Sequence, residues 1–221
     1  MTASSSVDNQ ASPSLAPDER VTARSTLRVH ADRGVPEEVA AILAAGVVAH
    51  VAFVVDGQPF AIPMSYHFEA SKPARLFLHG GHHSRLMTHL ATRAAVCIGV
   101  TLVDGLVYSR TALYHSVNYR SAIVFGRALE TPPDDAQRAL LHAMVERYFP
   151  GRTPGRDYEP VPHAHLGATA FVEIAIEEWS AKARRGGPTG PRDNDASAPG
   201  TAGVIECRDA GVLSGTARSA L

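Results

Sequence analysis

Apolar residues recur at helical spacing only in short stretches of this chain; most of its apolar signal alternates. Val39, Ile42 and Leu43 follow Pro36, which suits a first helical turn, and Gly46 follows as a stop, so a short helix is predicted over 36–45. Residues 47–55 and 58–68 are strand-like and flank Asp56-Gly57, the dipeptide of a tight hairpin because both central positions take positive φ. Along the second run Phe60, Ile62, Met64, Tyr66 and Phe68 share one face, leaving the small or polar Ala61, Pro63, Ser65 and His67 on the other. A third strand is predicted at 75–79. A second Asp-Gly pair, Asp104-Gly105, predicts another hairpin between 94–103 and 106–112, and a strand follows at 117–130. Ala136, Leu140, Met144, Val145 and Tyr148 then repeat at helical spacing after Asp134 and Asp135, and Pro150-Gly151 closes that helix. Residues 151–166 read as irregular, and 168–177 as the last strand.

The two ends differ from this body. Residues 1–24 are rich in Ser, Ala, Pro and Asp with no apolar face, so they are expected to be disordered. Residues 187–221 read as a flexible tail in which 202–205 can dock, which leaves 25–186 as one domain. The formal net charge is −1 and no basic field exists for nucleic acid or an acidic membrane, so a small-molecule partner is expected. No run of about 18 apolar residues suggests a membrane span, and the first residues lack the features of a signal peptide, which points to the cytoplasm.

Four features carry candidate chemistry. Arg120 and Arg127 sit in a strand pattern, where each either meets a bound anion or pairs with a carboxylate. Ser84 before Arg85, Leu86, Met87 and Leu90 reads as a helix cap, with a hydroxyl and a guanidinium at one spot, which is either a phosphate site or a plain cap. Pro63 cannot donate to a ladder, so it marks an edge or bulge where a ligand can approach. His79, His82, His83 and His89 crowd one loop, but no carboxylate or cysteine completes a ligand set, and no metal is expected there. Cys97 reads as a small buried hydrophobe, and Cys207 belongs to the tail.

Residues 118–127, Asn-Tyr-Arg-Ser-Ala-Ile-Val-Phe-Gly-Arg, resemble a block of the FMN-binding split-barrel superfamily. More closely they resemble the pyridoxamine 5'-phosphate oxidase-like branch that includes the Nim-type 5-nitroimidazole reductases. Residues 58–66, 76–80 with 84–90, and 145–151 match further blocks in the same order, and 179–184 match more weakly. The resemblance implies a mainly β fold, a six-stranded antiparallel split barrel that pairs into a homodimer with its cofactor between subunits. It implies that Ser84 and Arg85 contact the FMN phosphate and that main-chain groups along Ile62, Pro63, Met64 and Ser65 bond the flavin ring. Leu78 and His79 match the strand beside the ring, where His79 is either catalytic or a core histidine; Arg120 and Ser121 fall near the cofactor or the subunit boundary. Trp179 reads as packing, and Lys182, Arg184 and Arg185 as a basic end that either approaches the site or stays solvated. The implied function is an FMN-dependent oxidoreductase passing hydride or electrons to a small flat acceptor, nitroaromatic or quinone-like. The alternatives are a haem- or flavin-binding barrel without turnover, with His79 or a loop histidine on the haem iron, and a colourless structural dimer. The Arg-Leu segment with which true pyridoxamine phosphate oxidases bind their substrate has no counterpart in the tail, so vitamin B6 oxidation is not expected.

Overall fold

A computed structural model describes residues 21–207 with the exception of 73 and 130. The expected tail segments 1–20 and 208–221 lie outside the described residues. After a short 3-10 turn at Pro36–Glu38 come α1 (Val39–Ala45), β1 (Val48–Val55), β2 (Gln58–Phe68), β3 (Arg75–Gly81) and α2 (Arg85–Ala91). Next follow β4 (Ala95–Tyr108), β5 (Ser116–Ala128), α3 (Asp134–Tyr148), α4 (His163–Leu166), β6 (Thr169–Arg184) and β7 (Gly203–Glu206). The strands form one antiparallel sheet in the order β1-β2-β3-β6-β5-β4-β7, and β4 also pairs with β1. Six strands therefore close into a ring, and β7 extends the far half of β4. No helix among the described residues is long and apolar enough to cross a membrane.

The hairpin between β1 and β2 forms as its turn chemistry predicts, with Asp56 at φ 50° and Gly57 at φ 78°. Asp104-Gly105 does not form one. β4 runs straight through it, with a register shift between Val103 and Gly105, because β5 pairs along almost its whole length and β7 docks on its other edge. A Cβ on Gly105 would lie 2.9 Å from the Ile205 carbonyl, so the glycine there allows a close strand approach instead of a reversal. The last strand is also longer than its apolar run, since its outer half is held by β5 from Tyr119 to Phe125. The 202–205 stretch of the expected tail docks as β7, and Asp193 accepts hydrogen bonds from Ser109 Oγ and the Arg110 N–H, both at 2.8 Å.

The ring encloses a core in which Ile42, Leu43, Val51, Tyr66, Leu76 and Ile98 are fully buried. Each large apolar side chain so removed from water contributes about 1.5–3 kcal/mol. α2 closes the barrel with Leu86, Met87 and Leu90. α3 lies outside the ring against β2 and is pinned at its C-terminal end. There Arg147 donates to the carbonyls of Tyr66 at 2.8 Å, Leu43 at 2.9 Å and Ala44 at 3.1 Å, and its guanidinium lies over the Tyr66 ring at 4.6 Å. One cation thus satisfies carbonyls at the end of α1 while holding α3 to β2. This covering helix changes the environment of one predicted face: His67 keeps the outer side of its strand, opposite Tyr66 and Phe68, but is buried under α3.

Candidate functional site at the split between β2 and β3

β2 and β3 pair only through Tyr66, His67 and Phe68 against Leu78, Phe77 and Leu76. Among the described residues no strand pairs that edge of β2 over 58–65, although the opposite edge pairs with β1 from Val48 to Val55. The wall is therefore split here, and the β2 backbone offers unpaired polar groups, with Pro63 removing one donor from the row. α2 lies across the gap. A Cβ on Gly80 would meet Met87 Cε at 3.1 Å and Met64 Cε at 3.5 Å, so the glycine eases the close packing of β2, β3 and α2.

Ser84 caps α2, its Oγ accepting from the Met87 N–H at 3.2 Å, and its own N–H donates to Gly81 at 2.9 Å, which ties the cap to the end of β3. The hydroxyl hydrogen stays free to donate. Arg85 extends over the Phe60 ring on β2, 4.3 Å from its centroid, and makes no ion pair among the described residues. That stack continues from Phe60 to Phe53 at 5.5 Å and from Phe53 to His89 at 4.8 Å. A serine hydroxyl and a guanidinium thus stand on consecutive residues at the start of α2 beside the split, residue types suited to a phosphate.

Ser65 and His79 each neighbour the Tyr66–Leu78 pair, whose side chains are buried inward, so both project from the outer face. His79 stacks on Phe171 with centroids 5.9 Å apart and planes at 20°, and its buried Nδ1 has no hydrogen-bond partner. Burial lowers its pKa from the ordinary histidine value, so the ring is neutral near pH 7, with one nitrogen able to donate and one to accept. The Leu78 side chain is in the core and leaves only its backbone to the site.

Ile62, Pro63, Met64 and Ser65 lie on the unpaired stretch of β2, Leu78 and His79 on β3, and Ser84 and Arg85 at the start of α2, the three elements that flank the split. Arg120 and Ser121 stand apart within the chain. They are neighbours in an extended strand and point to opposite faces: Arg120 shares a row with Leu102, and Ser121 pairs with Thr101. Arg120 meets Asp104 through Nε at 3.0 and 3.2 Å and Nη2 at 2.7 Å, and Arg127 meets Glu177 at 3.2 Å. Both arginines thus have the carboxylate partners that a packed strand calls for. Ser121 lies three strands from Ser65 around the wall, roughly 14 Å at ordinary strand spacing. Cys97 is half-buried and its pKa is pushed up by burial, which makes it a poor nucleophile. Trp179 is buried, and Lys182 pairs with Ser121 on the outer wall. Among the described residues no three His, Cys, Asp or Glu side chains converge as a metal site.

The free β2 edge, Gly80 and the Arg85–Phe60 stack escape a reading of the sequence. Strand alternation places Phe60 on the bulky face, but nothing local shows where β3 stops pairing.

A six-stranded antiparallel ring, split beside a serine-capped helix that carries an arginine, has the architecture of the flavin-binding split barrels. The family profile of pyridoxamine 5'-phosphate oxidase matches residues 36–183, and the chain belongs to that family. Among solved structures it is similar to the flavocytochrome Anf3 from Azotobacter vinelandii, at 32% identity over 93% of this chain and 92% of that one, with a TM-score of 0.74. It is likewise similar to the FAD- and haem-binding protein from Mycobacterium smegmatis, at 32% identity over 89% and 92% of the two chains, TM-score 0.67. A candidate 5-nitroimidazole antibiotic resistance protein from Bacteroides thetaiotaomicron shares the fold at 20% identity over 66% and 82%, TM-score 0.52. No curated protein matches the chain. The family expected from the sequence blocks is the one found.

Proposed function

We propose that this chain is a flavin-dependent oxidoreductase whose cofactor, FMN, lies at the split between β2 and β3 and serves a small flat acceptor of the nitroaromatic or quinone type. The observation that carries this reading is the unpaired β2 edge beside His79, Ser84 and Arg85. When bound, the flavin supplies the redox chemistry. Main-chain groups of Ile62, Met64 and Ser65 bond the polar edge of its ring, and the ribityl phosphate meets Arg85 and the Ser84 hydroxyl. One such anchor suffices for a mononucleotide; an FAD would carry its adenylate beyond it. His79 presents a neutral imidazole on the outer face, placed to orient an acceptor or to hold a proton beside it. Two relatives at 32% identity, one a flavocytochrome and one an FAD- and haem-binding protein, support a flavin here.

The site is completed by a second copy of the chain. Val48 and Val103 are 44% and 51% exposed on β1 and β4. They lie on the outer face that also carries Ser121, an apolar surface suited to a twofold contact. In such a homodimer Ser121 of one protomer approaches the cofactor of its partner, while Arg120 fixes the strand through Asp104.

A second reading is favoured by those same two relatives: the chain binds haem, in addition to flavin or in place of it. The absorbance spectrum of freshly purified protein separates the readings. A flavin band, with the released cofactor running as FMN on chromatography, supports the first. A Soret band supports the second. Absence of a flavin band, with no flavin taken up on addition, sinks the first.

A further inference from the structure

A cavity of about 680 Å³ lies between α3 and the outer face of β2, β3 and β6, away from the split. Ala136, Ala139, Leu140 and Ala143 of α3 form one wall, and Phe77 and His67 the other. The alanines recur at helical spacing, so this side of α3 is flat and apolar. His67 is 8% exposed, and its buried Nδ1 has no hydrogen-bond partner. The ring still lines the cavity, and among the described residues its other nitrogen has no hydrogen-bond partner either, which leaves that nitrogen to a ligand in the slot. Burial, and then the charge of Arg147, lower the pKa of this imidazole, which leaves a lone pair free near pH 7.

Lys72 and Arg75 stand at the mouth, paired with Glu69 at 3.2 Å and with Glu173. Their side chains are 66% and 44% exposed, and both keep donors beyond those pairs. A flat apolar slot, one neutral histidine inside and two cations at the rim together match a planar macrocycle that carries a metal at its centre and carboxylates on one edge.

We propose that this cavity is a haem pocket, with His67 as the axial ligand of the iron, α3 and Phe77 against the faces and edge of the ring, and Lys72 and Arg75 at the propionates. The proposal rests on the haem reading above and is independent of the flavin reading, because the cavity shares no residue with the split. It moves the axial ligand from His79 and the loop histidines, expected from sequence, to a residue under α3.

The test is a titration of the purified full chain with haemin, and in parallel with iron-free protoporphyrin IX, following absorbance, flavin content and melting temperature. One haem per chain is expected, with a nitrogen-ligated Soret and electron paramagnetic resonance signature. His67→Ala should weaken haemin binding at least about tenfold, since changes even to residues behind a metal ligand cost that much. It should leave flavin content unchanged, and added imidazole should restore the spectrum. His79→Ala should bind haemin like the parent. Ala139→Trp, which fills the slot without touching the ligand, should abolish uptake of both haemin and the iron-free ring. An unaltered spectrum and affinity in His67→Ala, displacement of flavin by haemin, or no haemin uptake by the parent would each overturn the proposal. Protein without flavin that still shows a His67-dependent haem spectrum upholds the pocket and refutes the flavin reading alone.

Discussion

At the scale of single residues, the two roles proposed at the split fall to Arg85 and His79. Arg85 is held by an aromatic face and not by a carboxylate, so its charge is available to an anion. Arg85→Ala should weaken flavin binding by about 1.5–3 kcal/mol, the range for a charge-assisted hydrogen bond, in a fluorescence titration. Unchanged affinity removes the residue from the phosphate site. His79→Ala should keep flavin and slow acceptor reduction; reduction at the parent rate refutes its catalytic role. His79 also links stability to pH. Its folded pKa is lowered from the ordinary 6.5, so between the two values the unfolded chain binds the extra proton, and stability rises with pH there. Stability from this group is full above about pH 6.5 and is lost as pH falls through the folded value. His67 shifts in the same direction, from burial and then Arg147. The melting temperature of cofactor-free protein should therefore drop below that pH, and His79→Phe should shrink the drop. An equal drop in that variant shows that His79 does not contribute.

At the scale of elements, the end of α3 decides whether the wall around His67 holds. Arg147→Ala removes donors from carbonyls at the end of α1 and from Tyr66, and should cost about 1.5–3 kcal/mol in urea unfolding. Hydrogen exchange along α3 should rise as well, and unchanged protection there contradicts the pinning role. Gly126 lies at the bulge where β5 meets β6, and a Cβ there would sit 2.2 Å from the Ala175 carbonyl. Gly126→Ala should thus destabilise by about 1–3 kcal/mol or more, as overpacking does. Local patterns made several of these elements legible. Alternation located β2, helical spacing located α1 and α3, and Asp56-Gly57 located the first hairpin. Asp104-Gly105 misled because long-range pairing with β5 and β7 outweighs a two-residue preference. The covering of His67 was not legible, since α3 lies far along the chain and no local pattern records which face it lands on.

At the scale of the whole molecule, the ring, the split and the outer apolar face form one arrangement. The break in β2–β3 pairing leaves the β2 backbone unpaired beside α2, which carries Ser84 and Arg85, and in the proposed homodimer the valine surface around Ser121 is the second wall, contributed by a partner copy. Val103→Glu should shift the dimer toward monomer in sedimentation and lower flavin affinity with it; a monomeric variant that binds flavin normally shows that each site is complete in one chain. The sequence blocks led to the family, because each block is contiguous in sequence. The break in pairing came only with the folded sheet. The most direct measurement is calorimetric titration of cofactor-stripped protein with riboflavin 5'-phosphate, with melting temperature read in parallel. One flavin per chain with a raised melting temperature, both diminished in Arg85→Ala, is the expected result. No heat and no change in melting temperature would contradict a flavin at the split.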